Sequence, residues 1–324
     1  MFKRHYIIPI FVPHEGCPHN CVFCNQNLIT GNTQKMTITK AREIIELNLK
    51  TIKRENSIIE ISFYGGTFTA IDIEKQKLFL ALAKEYKDNG FVDFIHMSTR
   101  PDYINEEILE NLKNYSADII ELGVQSMDDE VLLKSGRGHS SEIVYEASRL
   151  IKEYGFTLGH QIMVGLPSDS FKKDFETAEK IIEMKPDIAR IYPALVIKDT
   201  PMQQLYLNNE YKPYTLKEGV EISKYLFSML SINKINVIRV GLQPTEDINV
   251  GKDIIAGPFH PAFKELVEGS LINDMLIYFM SGREFTFVDI KINEKDISKL
   301  YANSKEYFSY MKNTIKSPSV KVSQ

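Results

Sequence analysis

Cys17, Cys21 and Cys24 are the only cysteines in the chain, and all three fall within eight consecutive residues. Scattered at random over 324 residues, three cysteines would cluster this tightly on the order of one time in a thousand, so the spacing is itself a signal. A C-x3-C-x2-C pattern lets one short, curled loop present thiolates to three corners of a cubane iron–sulfur cluster. Three thiolates hold three irons and leave the fourth open, and an open coordination position marks a reactive metal site rather than a structural one. The open iron can take a chelating amino and carboxylate pair, as methionine offers, and so bring a sulfonium beside an electron donor. Two other readings use the same residues. The cysteines can be small buried hydrophobes, or they can hold structural zinc with His14 or His19 as the fourth ligand. The loop His14-Glu15-Gly16-Cys17-Pro18-His19-Asn20-Cys21 is a poor place for core packing, and an odd, crowded set of cysteines argues against a disulfide framework.

Short β-rich runs alternate with helical stretches along the chain. The sequence predicts strands at Tyr6–Val12, Ile58–Tyr64, Phe91–Met97, Ile119–Val124, Thr157–Val164 and Ile188–Val196. Helices are predicted between them at Lys40–Arg54, Ile73–Asn89, Glu106–Tyr115, Ser141–Tyr154 and Phe171–Met184, the last stopping just before Pro186. Strands alternating with helices of this length imply parallel βαβ units, and six of them make a barrel or an open partial barrel. The cysteine loop follows the first strand, at the end where such barrels carry their active sites. A helix near Leu216–Leu230 and a possible seventh strand at Asn236–Gly241 come next. Residues 1–250 are therefore expected to form the core barrel. Residues 251–324 form an extension with a helix at Pro261–Met280, a strand-like pair around Phe285–Ile292 and a last helix at Asp296–Ile315.

Composition sets outer limits. The chain is 43% hydrophobic and 25% charged, with net charge -4, so it buries a sizeable core and carries no global field favouring nucleic acid or membrane. No stretch approaches the roughly 20 apolar residues of a membrane span. The apolar run near the start is short, is broken by Pro9 and Pro13, and lacks a small-residue cleavage site, so it reads as a strand and the protein as cytoplasmic.

The cysteine triplet, with Phe23 just before its third member, resembles the signature of the radical S-adenosylmethionine (SAM) superfamily. Ser62-Phe63-Tyr64-Gly65-Gly66-Thr67-Phe68 looks like that superfamily's SAM-binding glycine motif. Glycine suits the job because the backbone, lacking Cβ, can approach the methionyl amino group. More closely, the chain resembles the radical SAM domain of the Elongator catalytic subunit family, which modifies the wobble uridine of tRNA. The resemblance runs from about residue 8 to 246 and rests further on Ser98-Thr99-Arg100-Pro101-Asp102-Tyr103-Ile104, Glu121-Leu122-Gly123-Val124-Gln125-Ser126, Arg137-Gly138-His139, Met163-Val164-Gly165-Leu166-Pro167, Ile191-Tyr192-Pro193-Ala194-Leu195-Val196-Ile197 and Arg239-Val240-Gly241-Leu242-Gln243-Pro244-Thr245. A weaker similarity extends to the oxygen-independent coproporphyrinogen oxidases. Elongator subunits of eukaryotes and archaea space the first two cysteines more widely and carry an acetyltransferase domain. The roughly 75 residues after this barrel fall short of a typical domain of ~100–150, so acetyl transfer is not expected.

The resemblance implies an α/β fold, a partial (β/α)6 TIM-type barrel of the radical SAM kind with a small C-terminal α+β extension. It implies an oxygen-sensitive [4Fe–4S] cluster on Cys17, Cys21 and Cys24, SAM as second cofactor, and reduced flavodoxin or ferredoxin as electron donor. One electron into the sulfonium then releases a 5′-deoxyadenosyl radical, which abstracts hydrogen from substrate. Among the implied cofactor contacts, Phe23 packs on adenine or shields the cluster, and Tyr64, Gly65, Gly66 and Thr67 meet the methionyl end. Ser98 and Arg100 meet the ribose or carboxylate, Arg137 grips the carboxylate through its fork, and Gly165 and Leu166 meet adenine. Gln125 faces SAM or substrate, Tyr192 lies where substrate is expected, and His139 is a candidate acid or base. His160, within an apolar strand, reads as core. The structural alternatives are a solvated ion pair for each arginine and a core tyrosine with a satisfied hydroxyl for Tyr192. Interleaved lysines and aromatics in Lys305–Lys312 can serve RNA, but an amphipathic terminal helix with a frayed basic tail is the simpler reading. The implied substrate is tRNA or another nucleic acid. A small metabolite or tetrapyrrole is the second possibility, and a non-catalytic zinc-binding scaffold the third.

Overall fold

The structure is a computed structural model that describes residues 4–12, 17, 19–25, 35–242, 253–315 and 319–323. Its elements run β1 (Arg4–Val12), α1 (Ile38–Thr51), β2 (Ser57–Gly65), α2 (Ile73–Asp88), β3 (Phe94–Thr99), α3 (Glu106–Asn114), β4 (Ile119–Gln125), α4 (Asp129–Lys134), α5 (Ser141–Glu153), β5 (Thr157–Val164), α6 (Phe171–Met184) and β6 (Ile188–Pro193). There follow β7 (Val196–Ile197), α7 (Pro201–Leu207), α8 (Leu216–Ile232), β8 (Asn236–Val240), β9 (Ile254–Ala256) and α9 (Phe263–Met280). Strands β1–β6 and β8 form one open sheet in the order β1-β2-β3-β4-β5-β6-β8, with every pairing parallel. The partial barrel thus has seven strands, and the seventh is the one expected at Asn236–Gly241.

Helices begin where a short polar side chain can accept an orphan backbone N–H. Thr37, Asp72, Asn105, Asp128, Ser170 and Thr200 each cap one, and Thr215 with Glu218 forms a full capping box at α8. Register at the amino end of the sheet is pinned by a repeated device. Asp93, Asp118 and Asp187, each just before a strand, accept the backbone N–H of Ile59, Ile95 and Leu158 on the preceding strand in the sheet at 2.7–2.8 Å.

Alternation along each strand sends one set of side chains under the helices and the other into the barrel. On β2, Ile59, Ile61 and Phe63 join the main core, with Phe63 stacked on Phe68 at 4.7 Å and edge-on to Phe79. Between them lie Glu60, Ser62 and Tyr64. His96 and Ser98 on β3, Glu121 on β4, Gln161 on β5, and Arg190 and Tyr192 on β6 occupy the same inward rows, so the interior is polar. His160 points the other way and bonds Ser148 on α5 at 2.9 Å, and burial drives its pKa down to about 3, so it is the neutral core histidine expected.

Three boundaries differ from the sequence reading. The third strand starts at Phe94 rather than Phe91, because Gly90 turns the chain and leaves Phe91 exposed. The sixth strand stops at Pro193, and Val196–Ile197 pairs instead with β9. The last helix is broken by positive φ at Ser304 and Lys305, giving short helices at Ile297–Leu300 and Glu306–Thr314. Nor is the tail frayed: strand Val320–Ser323 pairs in parallel with Val288–Lys291. The expected division at residue 250, the end of the Arg239–Thr245 motif, and Lys316 lie outside the described residues. Helix α9 contributes Phe263, Leu266 and Val267 to the main core, and Met280 to a smaller one with Leu300 and Met311. Among the described residues, no helix is long and apolar enough to cross a membrane.

Candidate functional site

The cysteine loop leaves the carboxyl end of β1 and is held by backbone bonds to two distant segments. Val22 N–H donates to Ser135 O at 3.0 Å, and Met202 N–H donates to Val22 O at 2.9 Å. Within the loop, Cys24 N–H closes a turn onto Cys21 O at 3.0 Å. Gly138, at φ +71°, leaves room for the His19 ring, which any side chain there would strike. Cys21 is buried, and Cys17 and Cys24 are half-buried.

Two of the thiols, Cys17 and Cys21, meet a piece of the expected site or its frame. Cys17 Sγ lies 3.4 Å from Thr67 Oγ1, which places the loop against the glycine turn that ends β2. That turn is tied back by Gly66 N–H to Val12 O at 3.0 Å, with Gly65 at φ +108°. Cys21 Sγ accepts from Arg137 Nη1 at 3.3 Å. Phe23 packs against a small apolar cluster of Val131, Leu166, Val196 and Met202, so it lies on the same cluster as the turn after β5.

Arg137 is buried, and each of its three nitrogens donates a hydrogen bond. Besides Cys21, its Nη2 donates to Gly123 O and its Nε to His139 Nε2 at 3.3 Å. The Arg137 carbonyl in turn accepts from Arg100 Nη2 at 2.6 Å, while Asp102 holds the Arg100 fork at 2.9 Å through both oxygens. Arg100 therefore braces Arg137 here. The chain takes a positive φ at Gln125, +69°, which folds its amide over Gly123 beside the Arg137 fork. Burial, and then the nearby Arg137 charge, pull His139 down to about 4, so it is a neutral acceptor at pH 7. Its other nitrogen lies 3.2 Å from Ser140 O.

The turn after β5 is built to a similar standard. Gly165, at φ +75°, and Leu166 offer their N–H groups to Asp169, and Tyr211 donates its hydroxyl to Gly165 O at 2.6 Å. Burial, with Asp169 alongside, pushes the Asp174 carboxyl well above its ordinary range, and Tyr214 donates to it at 3.0 Å.

The barrel interior holds the residues that sequence reasoning missed. His5, Glu60, His96, Glu121 and Arg190 form a chain across five strands. Glu60 is 3.0 Å from His5 and 2.7 Å from His96; Glu121 is 3.4 Å from His96 and 2.8 Å from Arg190 Nε. Ser62 donates to Glu60, and Gln161 donates to both Glu121 and Ser98. Burial opposes the charge on His96, but Glu121 and Glu60 outweigh it and raise its pKa to about 9. Burial likewise opposes the Glu60 and Glu121 charges, yet His5 and His96 for the first, and Arg190 and His96 for the second, hold both carboxyls below their ordinary range. Tyr64 and Tyr192 sit above this chain, and burial raises both phenols, Tyr64 to about 12. The available signal was the single polar residue recurring at alternate positions of apolar strands, as in Ile59-Glu60-Ile61-Ser62 and Ala189-Arg190-Ile191-Tyr192.

The donor set fits an iron–sulfur cluster. It offers three thiols on one turn-rich loop, a guanidinium beside the most buried sulfur to balance thiolate charge, and an open-backbone glycine turn alongside. Among the described residues, no three His, Cys, Asp or Glu side chains converge on one metal ion. His14, the other zinc ligand considered, lies outside them.

Residues 11–181 match the Radical SAM superfamily, and residues 186–273 match the Radical SAM C-terminal domain. The chain is 30% identical over 266 residues to the tRNA uridine(34) acetyltransferase of Methanocaldococcus jannaschii, covering 69% of this chain and 49% of that one. It is 28% identical over 202 residues to human Elongator complex protein 3, covering 56% and 37%. The chain thus spans about half the length, or less, of these curated relatives. Among solved structures, the N-terminally truncated Elp3 of Methanocaldococcus infernus superposes with a TM-score of 0.66 at 25% identity, covering 85% and 64%. Streptococcus suis SuiB bound to S-adenosylmethionine, at 16% identity and TM-score 0.52 over 74% and 51%, shares the fold.

Proposed function

The chain belongs to the radical SAM superfamily, and from that premise we propose that it cleaves S-adenosylmethionine reductively and uses the resulting radical to modify a tRNA uridine. The observation that carries the first half is the cysteine loop lying against the Gly65–Thr67 turn, with Arg137 on Cys21. A [4Fe–4S] cluster bound there supplies one electron, drawn from reduced flavodoxin or ferredoxin, to break the bond between sulfonium and adenosyl carbon.

The chain's own residues bind, orient and shield. Cys17, Cys21 and Cys24 ligate three irons. Gly65, Gly66 and Thr67 present backbone groups to the methionyl end, with Tyr64 below them. Arg137 donates to Cys21 Sγ and, with N–H groups left over, would grip the methionyl carboxylate, and Arg100 and His139 fix its fork. Ser98 would meet the ribose or the carboxylate, Gln125 SAM or substrate, and Phe23, Gly165 and Leu166 adenine. Tyr192 faces substrate from the opposite wall. Water exclusion follows from burial of this wall and protects a reactive intermediate.

The second half, the substrate, is supported by relatives whose names specify tRNA uridine. With a net charge of -4, any RNA contact has to come from local cations, and such contacts release counterions. Cluster-loaded protein is therefore expected to retard tRNA in a native gel at low salt, and to lose at least several-fold in affinity as salt rises modestly. Absence of any tRNA complex at low salt would remove tRNA as substrate.

A further inference from the structure

Arg190 is a buried guanidinium, and a guanidinium only donates hydrogen bonds. It gives Nε to Glu121, Nη2 to the Tyr64 hydroxyl at 3.0 Å and Nη1 to the Tyr192 hydroxyl at 3.4 Å. Each phenolic oxygen is thereby an acceptor, so each phenolic proton must point elsewhere. For Tyr64, Ser62 stands nearby. For Tyr192, Arg190 is the sole hydrogen-bond partner of the hydroxyl among the described residues, so among them its O–H is a donor with no acceptor. A half-buried donor left open at the carboxyl end of β6 is the sort of group that a ligand completes.

The charges around it decide what kind of ligand. Glu60 and Glu121 are carboxylates, while Arg190 and a protonated His96 are cations, so two negative charges meet two positive ones. Arg239 on β8 is the next cation, and its charge also reaches the Tyr192 phenol. Both phenols stay neutral at pH 7. These four charges thus cancel, and the floor offers hydrogen-bond donation from a neutral phenol. Glu60 and Glu121 already balance Arg190 and His96, so a phosphate or carboxylate would have Arg239 alone to offset its desolvation, whereas a carbonyl oxygen of an uncharged ring needs only the donor.

We propose that the Tyr192 hydroxyl, polarised by Arg190, is the donor that recognises a carbonyl oxygen of a neutral pyrimidine base inserted into the barrel. This rests on the tRNA reading above and names the part of the substrate that the barrel reads. It disfavours a polycarboxylate such as a tetrapyrrole at this position.

The test uses the full chain loaded with cluster and S-adenosylmethionine. Binding is measured to an anticodon stem-loop RNA with uridine in its loop, and to the same RNA carrying 2-thiouridine or 4-thiouridine. Sulfur is a poor acceptor, so one of the two substitutions is expected to weaken wild-type binding by about five- to tenfold, the loss of one hydrogen bond. Tyr192→Phe should weaken binding of the unmodified RNA by a similar factor and be indifferent to that sulfur. If all three RNAs bind wild type alike, the carbonyl contact is refuted while the tRNA reading stands; this arm needs no variant and so survives any folding defect. Loss of affinity in Tyr192→Phe with no sulfur effect in wild type would also refute it. If wild type binds none of the RNAs, the tRNA reading falls and this inference with it.

Discussion

Cys21→Ala abolishes iron–sulfur loading: after anaerobic reconstitution the variant stays colourless and iron-poor, where the parent takes up about four irons per chain. The expectation follows from place as much as from type. Cys21 is the most buried of the three thiols, at 8% exposure, and the Arg137 guanidinium converges on it. Without it, Arg137 faces a methyl group, and two half-buried thiols cannot hold a cubane against exchange with solvent. The fold itself should survive, because the loop is anchored through the backbone of Val22, to Ser135 and Met202. Unchanged far-ultraviolet circular dichroism beside lost iron is the expected pair of readings. Full iron content in the variant would defeat the ligand assignment.

The second large effect is on stability. Arg190→Met is expected to cost about 3–5 kcal/mol, because it strands a buried carboxylate that loses its closest cation. Glu121 is fully buried, and His96 at 3.4 Å and Gln161 are what remain to it. For a chain of this size the cost corresponds to a fall in melting temperature of roughly 10 °C. Glu121→Gln in the same chain should recover more than half of the loss by removing the stranded charge.

The pH dependence has a definite sign. In the parent, burial pushes Glu121 up, but Arg190 and His96 outweigh it and hold its pKa below the ordinary value. Its contribution is then present above the unfolded carboxyl pKa of about 4.3, and is lost as pH falls through the lower folded value. In the variant, burial acts with less opposition and the folded pKa rises. The native state then holds more protons than the unfolded one above pH ~4.3, and stability falls as pH climbs. The gap between parent and variant therefore widens from about pH 4 to 7. Equal melting temperatures at pH 7 would show that Glu121 is neither buried nor charged as described.

What the sequence disclosed was local. Cys17, Cys21 and Cys24 share one loop, and Gly65-Gly66 closes one strand, so both could be picked out from the sequence as candidates, the first by spacing and the second by resemblance. The βα alternation is equally local, since period and capping residues set each element independently, and the barrel followed from it. Partnerships across the barrel were hidden. Arg190 and Glu121 are 69 positions apart, and nothing near either names the other. Strands buried on both faces blur the in–out pattern, so Glu60, His96 and Gln161 looked like interruptions of apolar runs when they were one connected row. The Arg137 fork shows the same limit: its type predicted an anion, and only the fold put Cys21, Gly123 and His139 around it. The broken last helix escaped because Ser304 and Lys305 adopt positive φ without a glycine to announce it.

The most direct measurement is the fate of S-adenosylmethionine with reconstituted, dithionite-reduced protein. The account predicts 5′-deoxyadenosine and methionine in equal amounts, in the parent and not in Cys21→Ala. Intact S-adenosylmethionine beside a fully loaded cluster, its fourth iron already held by a protein side chain, would contradict it.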